Sequence, residues 1–414
     1  MKIKKYSFGV GDRFEIQGEA QLKAIIKAKE AGIDITPVWN KSNREHAIIH
    51  SEPADTRVEA DNAVKALGWT GDYFVDADHI NLSTVDRFLE SSDFFTLDVA
   101  DYIGKPSSDE EIAEFIENNK KYLGKLNIPG IDHPFDISED TLKEIGGKFL
   151  FAAKEASKIY NYIVDKKGTD DFIPEVSMDE VEEAQSPVEM FFILSALAQH
   201  GVPAQTIAPK FTGRFNKGVD YVGNINQFAK EFEEDLLVID FSIKEFSLPE
   251  NLKLSVHSGS DKFAIYPIMG DLIKKYNKGI HVKTAGTTWL EELIGLALAG
   301  SEALKLAKSI YAKGFGRMDE LCGPYATVID INKSDLPTAD EVENWDGQKF
   351  ANTLRHVQGH PDYNPSFRQL IHVGYKIAAE FGSEYTNMLK KYAGIVGQQV
   401  TENIYDRHIK RLFG

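Results

Sequence analysis

Eight short apolar, β-rich runs recur along this chain, and each gives way to polar residues before a helical pattern begins. Tyr6–Gly9 leads into Gly11, Asp12 and Arg13, Ile35–Trp39 into Asn40–Glu45, and Tyr73–Val75 into Asp76, Asp78 and His79. Phe94–Leu97 leads into Asp98 and Asp101, Phe172–Val176 contains Glu175 and leads into Asp179, and Thr206–Ala208 leads into Lys210. Leu252–Val256 ends at His257, and Gly279–Val282 contains His281 and leads into Lys283. Between these runs, segments such as Ala20–Ala31 and Ala54–Leu67 carry apolar residues at three- and four-residue spacing, the mark of an amphipathic helix. "SPVEMFFILSALAQHG" adds Ser186 as N-cap, Pro187 in the first turn and Gly201 as the stop. Strands alternating with helices predict a parallel sheet, and eight of them predict a closed (β/α)₈ TIM-type barrel. In that fold the polar groups at the carboxyl ends of the strands share one rim, where the active site forms. An open doubly wound sheet is the alternative. The sequence has no GxGxxG loop to support it, and no nucleotide cofactor is expected.

Two regions depart from the repeat. Residues 105–140 read as a polar insertion with an acidic helix and the turn-rich "NIPGIDHPFDISED", after which Asp136–Ile137–Ser138 starts a long helix over 139–165. Segment 230–250 begins as a helix despite its apolar "LLVIDF". After Gly300 the strand–helix repeat stops. The organisation predicted is a catalytic barrel over 1–300 and a mostly helical extension over 301–414 packed on it, with one β-like stretch at Ala326–Ile331.

Composition narrows the function. A net charge of -17 without a basic stripe excludes nucleic acid as a partner, because the phosphate backbone would be repelled. The single cysteine, Cys322, excludes an intramolecular disulfide and a multi-thiolate metal site, and fits a reducing cytoplasm. The opening "MKIKKYSFGVGDRF" has no apolar signal-peptide region, and no apolar run has the length of a membrane span. A cytoplasmic enzyme acting on a small molecule is the expectation, with homo-oligomerisation left open.

The strand ends hold three sets of candidates. Glu175, His257, His281 and the pair Asp78–His79 form a mixed carboxylate and imidazole set suited to a divalent ion, although each histidine equally suits a strand cap. Glu45, after Arg44, and Asp78 follow neighbouring strands and can serve as an acid/base pair around one substrate. Arg13, Lys210, Lys283 and the cluster Ser258, Ser260, Asp261 and Lys262 suit anions and sugar hydroxyls. In the tail, "YNPSFRQLIHVGYKIAAE" spaces Arg368 and His372 one helical turn apart, equally readable as part of the site or as the start of a surface helix.

The stretches "VGDRF", "SNREH", "DADH", "EVSMDE", "SVHSGSDKF", "HVKTAGTTWLEE" and "RQLIHVGYK" follow one another in the order seen in the tagaturonate epimerase family, which this chain resembles from about Gly9 to Arg411. The family includes tagatose/fructose 4-epimerases. The resemblance implies a (β/α)₈-type barrel and a divalent transition metal such as Mn, Co, Ni or Zn. It implies Glu45 and Asp78 as the acid/base pair, and His79, Glu175 and His257, with His281, as metal ligands. It departs in three places. Family members are longer at the N-terminal side. They carry an arginine where Lys210 stands and an acid where Arg214 stands. They have a histidine-bearing version of "DVADYIG". The extra charge of Arg214 suits a uronate or phosphorylated sugar.

The reaction implied inverts C4 of a ketohexose or ketohexuronate, tagaturonate/fructuronate or tagatose/fructose. The ketone does not acidify that C–H bond, so retro-aldol cleavage of C3–C4 and re-addition is energetically preferred over direct deprotonation. The competing readings are a metal-dependent aldolase, a Schiff-base aldolase using Lys210 or Lys283, and a sugar-binding barrel without catalysis.

Overall fold

The computed structural model describes residues 1–284 and 286–414. Its ten strands are β1 (Tyr6–Val10), β2 (Thr36–Ser42), β3 (Phe74–Ile80), β4 (Phe94–Asp98), β5 (Gly124–Leu126), β6 (Phe135–Ile137), β7 (Ile173–Ser177), β8 (Thr206–Ala208), β9 (Lys253–Val256) and β10 (Ile280–Lys283). Eight of them, all but β5 and β6, pair in parallel around a closed barrel in which β10 meets β1. Each of the eight predicted runs supplies one barrel strand.

The barrel strands alternate in the manner their sequences require. On β9, Leu254 and Val256 pack in the layer between sheet and helices, while Lys253, Ser255 and His257 take the opposite face, toward the barrel interior. Ile3, Val38, Phe74, Phe94 and Ile173 form a separate apolar cluster at the amino-terminal floor. Above that floor the interior is polar, with Asp76, Thr96, Glu175, Thr206 and Lys283 all buried. A polar interior is costly unless its groups pair. Their pairing is therefore the key to the site.

The helices around the barrel are α1 (Gly18–Glu30), α2 (Asn43–Ile49), α3 (Pro53–Leu67), α4 (Asp109–Asn119), α5 (Glu139–Lys167), α6 (Pro187–Gln199), α7 (Ile225–Glu245), α8 (Tyr266–Lys275) and α9 (Thr287–Ala299). Ser186 and Ser138 cap α6 and α5 as predicted, each in a capping box with the residue three positions on. The insertion holds α4 and also the antiparallel hairpin β5–β6, which the sequence reading treats as turns. Three-residue strands are too short for alternation to register.

The C-terminal part contributes α10 (Ser301–Gly316), α11 (Met318–Cys322), α12 (Ala339–Glu343), α13 (Gly347–Leu354), α14 (Pro365–Val373), α15 (Tyr375–Phe381), α16 (Ser383–Lys391), α17 (Ala393–Glu402) and α18 (Lys410–Phe413). Trp289, Leu293 and Ile294 of α9 share a second core with this part, including Phe350, Phe367 and Tyr385. The chain then returns to the barrel, where Val400, Ile404, Ile409 and Leu412 join the first core. The expected β-like stretch at Ala326–Ile331 is not a strand. Among the described residues no strand pairs with it; Asp330 instead exchanges backbone bonds with the Gln369 side chain, and Val328 O accepts from Lys217 N–H. Among the described residues, no helix is long and apolar enough to cross a membrane.

Candidate active site

The carboxyl ends of the strands open into a cleft with two lobes. An inner cavity of about 260 Å³ is lined by Arg13, Glu45, Asp78, His79 and Lys283, among others. An outer cavity of about 550 Å³ is lined by Lys210, Arg214, Phe215 and Tyr325, among others. Arg44, Asp179, Glu180, Lys217, His257 and Ser258 line both.

Lys283, at the end of β10, is the hub of the barrel interior. Its Nζ lies 2.7 Å from Asp76, 2.8 Å from Asp78 and 2.9 Å from Glu175. Thr96 Oγ1 donates to Asp76 at 2.9 Å, and Thr206 Oγ1 to Glu175 at 2.7 Å. Burial disfavours the ammonium, but the three carboxylates outweigh it and hold the Lys283 pKa well above the usual lysine range. Burial would likewise raise Asp78; Lys283, joined by His79, overcomes it and keeps that carboxyl ionised, well below the usual range. Asp76 is shifted upward, because for it burial wins over Lys283.

Above this layer, His79, Asp179 and His257 converge. One donor atom from each lies within 4.8 Å of the others. Asp179 Oδ1 is 3.1 Å from His257 Nδ1 and 3.4 Å from His79 Nε2. His79 Nδ1 is 2.9 Å from Asp78 Oδ1, and His257 Nε2 is 2.8 Å from Glu175 Oε1. Two imidazoles and a carboxylate at this spacing, with a further carboxylate beside each imidazole, fit a divalent transition metal. His79 holds its position at φ 53°, a left-handed conformation unusual for a side-chain-bearing residue.

Glu45 reaches the inner lobe from the first turn of α2, where it completes a capping box with Ser42. It pairs with Arg13 from the loop after β1, and the Arg13 guanidinium lies 3.9 Å from the centre of the Tyr375 ring. At the outer lobe, Arg44 and Lys217 face the Tyr325 ring at 5.3 and 5.7 Å. Arg44, Lys210 and Lys217 have no carboxylate partner among the described residues. Arg214 is tied to Asp330 at 3.2 Å and to Ile329 O.

The tagaturonate epimerase family pattern matches residues 1–412. The chain belongs to the tagaturonate epimerase family. It is 29% identical over 421 residues to the tagaturonate/fructuronate epimerase of Thermotoga maritima, an alignment spanning 98% of this chain and 79% of that protein. In fold it is similar to a glycerol-complexed crystal structure of the fructuronate-tagaturonate epimerase UxaE from Cohnella laeviribosi, with TM-score 0.82 and 24% identity over 100% of this chain and 82% of that one. The native crystal structure of the same Cohnella protein gives TM-score 0.80 and 23% identity over the same shares.

Seen as a tagaturonate epimerase, the chain brings Glu45, Asp78, His79, His257, Ser258, Arg13, Arg44, Lys210, Arg214 and Lys283 to one cleft. Other residues expected at the site lie behind it. Glu175 is fully buried beneath His257. His281 is buried lower in the barrel against Ser7, at 2.9 Å, and burial pushes its pKa down to about 3. Asp261, Lys262, Arg368 and His372 are buried and line neither lobe. Asp76, Asp179, Lys217, Tyr325 and Tyr375 escaped the sequence reading of the site. Alternation alone places Asp76 on the same face as Asp78, so that signal was available. Asp179 stands two residues past β7, where no periodicity reports direction. The raised pKa of Lys283 opposes Schiff-base chemistry there, which needs a neutral amine.

Proposed function

We propose that this epimerase interconverts tagaturonate and fructuronate by inverting C4, with a divalent transition metal held by His79, Asp179 and His257 and with Glu175 beside His257. The observation that carries the reading is the convergence on one cleft of Glu45 and Asp78 in the inner lobe, an N/O/N donor set at its wall, and three cations without a carboxylate partner among the described residues, Lys210 in the outer lobe and Arg44 and Lys217 where the two lobes meet. Bound at the donor set, a divalent ion supplies Lewis-acid polarisation of a ketone oxygen.

The protein's own residues supply the rest. Arg44, Lys210 and Lys217 receive the C6 carboxylate at the outer lobe. That orients the sugar with C2 to C4 in the inner lobe. A carboxylate of the Glu45/Asp78 pair takes the C4 hydroxyl proton. The O–H electron pair becomes the aldehyde C=O as C3–C4 breaks, and the bonding pair passes to the C2–C3 fragment. After the aldehyde turns its other face, C3 re-adds and the proton returns to the C4 oxygen. The Arg13 pairing holds Glu45 in place, and Lys283 keeps Asp78 ionised for its share of the transfer.

The test is turnover of tagaturonate, fructuronate, tagatose and fructose by protein loaded with Mn, Co, Ni or Zn, with products separated by chromatography. The account predicts interconversion of the two uronates at a much higher kcat/KM than the neutral ketoses. Accumulation of free three-carbon fragments would instead make the protein an aldolase. Equal turnover of neutral ketoses would remove the role of the outer lobe.

A further inference from the structure

Arg368, on α14 of the C-terminal part, is fully buried and bonds to three separate segments. Its Nη2 lies 3.0 Å from Asp261 Oδ2, in the loop after β9 that carries His257 and Ser258. Its Nε donates to Gly218 O, in the loop after β8 that carries Lys210, Arg214 and Lys217. Its Nη1 donates at 2.7 Å to Leu354 O at the end of α13. Lys262 makes the same connection from the other side: its Nζ donates to Asn216 O at 2.9 Å and Val219 O at 2.7 Å, while rooted in the loop after β9. The loop after β9 needs such restraint. Ser258 and Asp261 hold left-handed backbone, φ 49° and 62°, without being glycine. That conformation persists only where the surroundings over-determine it.

We infer that Arg368 and Lys262 are positioning residues that clamp the loop after β8 to the loop after β9, so fixing the distance across the cleft between His257 and the cation Lys217. Neither side chain touches the cleft. They select substrate by length and terminal charge, because a carboxylate at the far end of the sugar meets Lys217 only when the two loops keep their spacing. This rests on the uronate reading above for its substrate, and on geometry alone for the clamp. Guanidinium geometry is essential, since Arg368 uses three spaced nitrogens for Gly218 O, Leu354 O and Asp261, where a lysine offers a single one.

The experiment is a double-mutant cycle on the metal-loaded enzyme with Arg368→Lys and Lys217→Met, using tagaturonate. Each single change is expected to raise KM about tenfold with kcat changed far less. The double variant should raise KM by little more than either single one, because both remove the same contact. Multiplicative effects of about a hundredfold, or loss confined to kcat, would overturn the clamp. Hydrogen exchange on the same variant provides a readout that needs no substrate. Arg368→Lys should speed exchange in 209–222 and 258–262, with metal content unchanged. Unaltered exchange there, or a rise spread across all the C-terminal helices, contradicts the inference even if the uronates prove not to be substrates. Should Arg368→Lys not fold, Lys262→Met replaces it in both measurements, with the same expectations.

Discussion

Lys283 Nζ sits 2.8 Å from Asp78 Oδ1, so the cation that neutralises the barrel interior also touches a proposed proton carrier. Stability and catalysis meet in that contact, and they can be separated. Lys283→Met leaves Asp76, Asp78 and Glu175 buried without their counter-ion. The loss expected is about 3–5 kcal/mol, the usual result of removing one partner from a buried pair. Urea unfolding measures it. A stability within error of wild type would show that the three carboxylates are neutralised some other way.

Glu45→Gln makes the opposite case. Glutamine keeps the shape, still completes the capping box with Ser42 and can still accept a hydrogen bond from Arg13, so the fold should be retained although the buried ion pair loses its charge. The rate should fall by on the order of 10²–10⁴, as for loss of a general acid/base. Metal content should remain close to wild type, while the melting temperature falls with the loss of the Arg13 ion pair but folding remains cooperative. A variant that retains most of its activity removes Glu45 from proton transfer.

Asp179 bridges His79 and His257, and it narrows the proposed metal site to three side chains. Stripping with chelator should abolish turnover, and Mn, Co, Ni or Zn should restore it. Asp179→Asn should weaken metal binding on the order of tenfold or more. Glu175→Gln should also lower occupancy, since Glu175 sits 2.8 Å from His257 Nε2. Metal content of the purified variants decides both. Asp179→Asn holding metal as wild type does would exclude Asp179 as a ligand.

Helix α7 carries a carboxyl unrelated to the site. Asp235 is buried, its Oδ1 has no hydrogen-bond partner, and burial, with Glu231 and Glu234 nearby, raises its pKa well above 3.8. A pKa raised on folding gives stability that is complete below the unfolded value and lost as pH climbs through the folded one. Asp235→Asn removes that loss. Its melting temperature should exceed wild type by at least about 2 °C at pH 8, and the gain should vanish near pH 4. A gain of equal size at both values would mean that the effect is not protonation.

The barrel was legible because its signal is repeated and local. Each of β1 to β4 and β7 to β10 shows an apolar run ending on polar residues, and α5 and α6 show their serine caps. The site was legible where strand position determines direction, as for Asp78 and His257, whereas His79, next to Asp78, reaches the same cleft only through its left-handed backbone. It was not legible where tertiary contact decides. Asp261 reads as a substrate contact beside a strand end, and Arg368 in the tail as either a site residue or part of a surface helix, yet their mutual pairing holds both behind the cleft. Tyr375 sits in the C-terminal part and reaches the site only because α15 folds back over Arg13. The stretch at Ala326–Ile331 has strand-like composition but no neighbouring strand, and composition cannot supply one.

The central claim is that C4 is inverted by breaking and remaking C3–C4 while its own hydrogen stays attached. The direct measurement is proton NMR of tagaturonate incubated with the metal-loaded protein in deuterated water. The account predicts fructuronate that keeps protium at C4. Fructuronate carrying solvent deuterium at C4 would contradict the carbon–carbon cleavage route, and no fructuronate at all would contradict the assigned reaction.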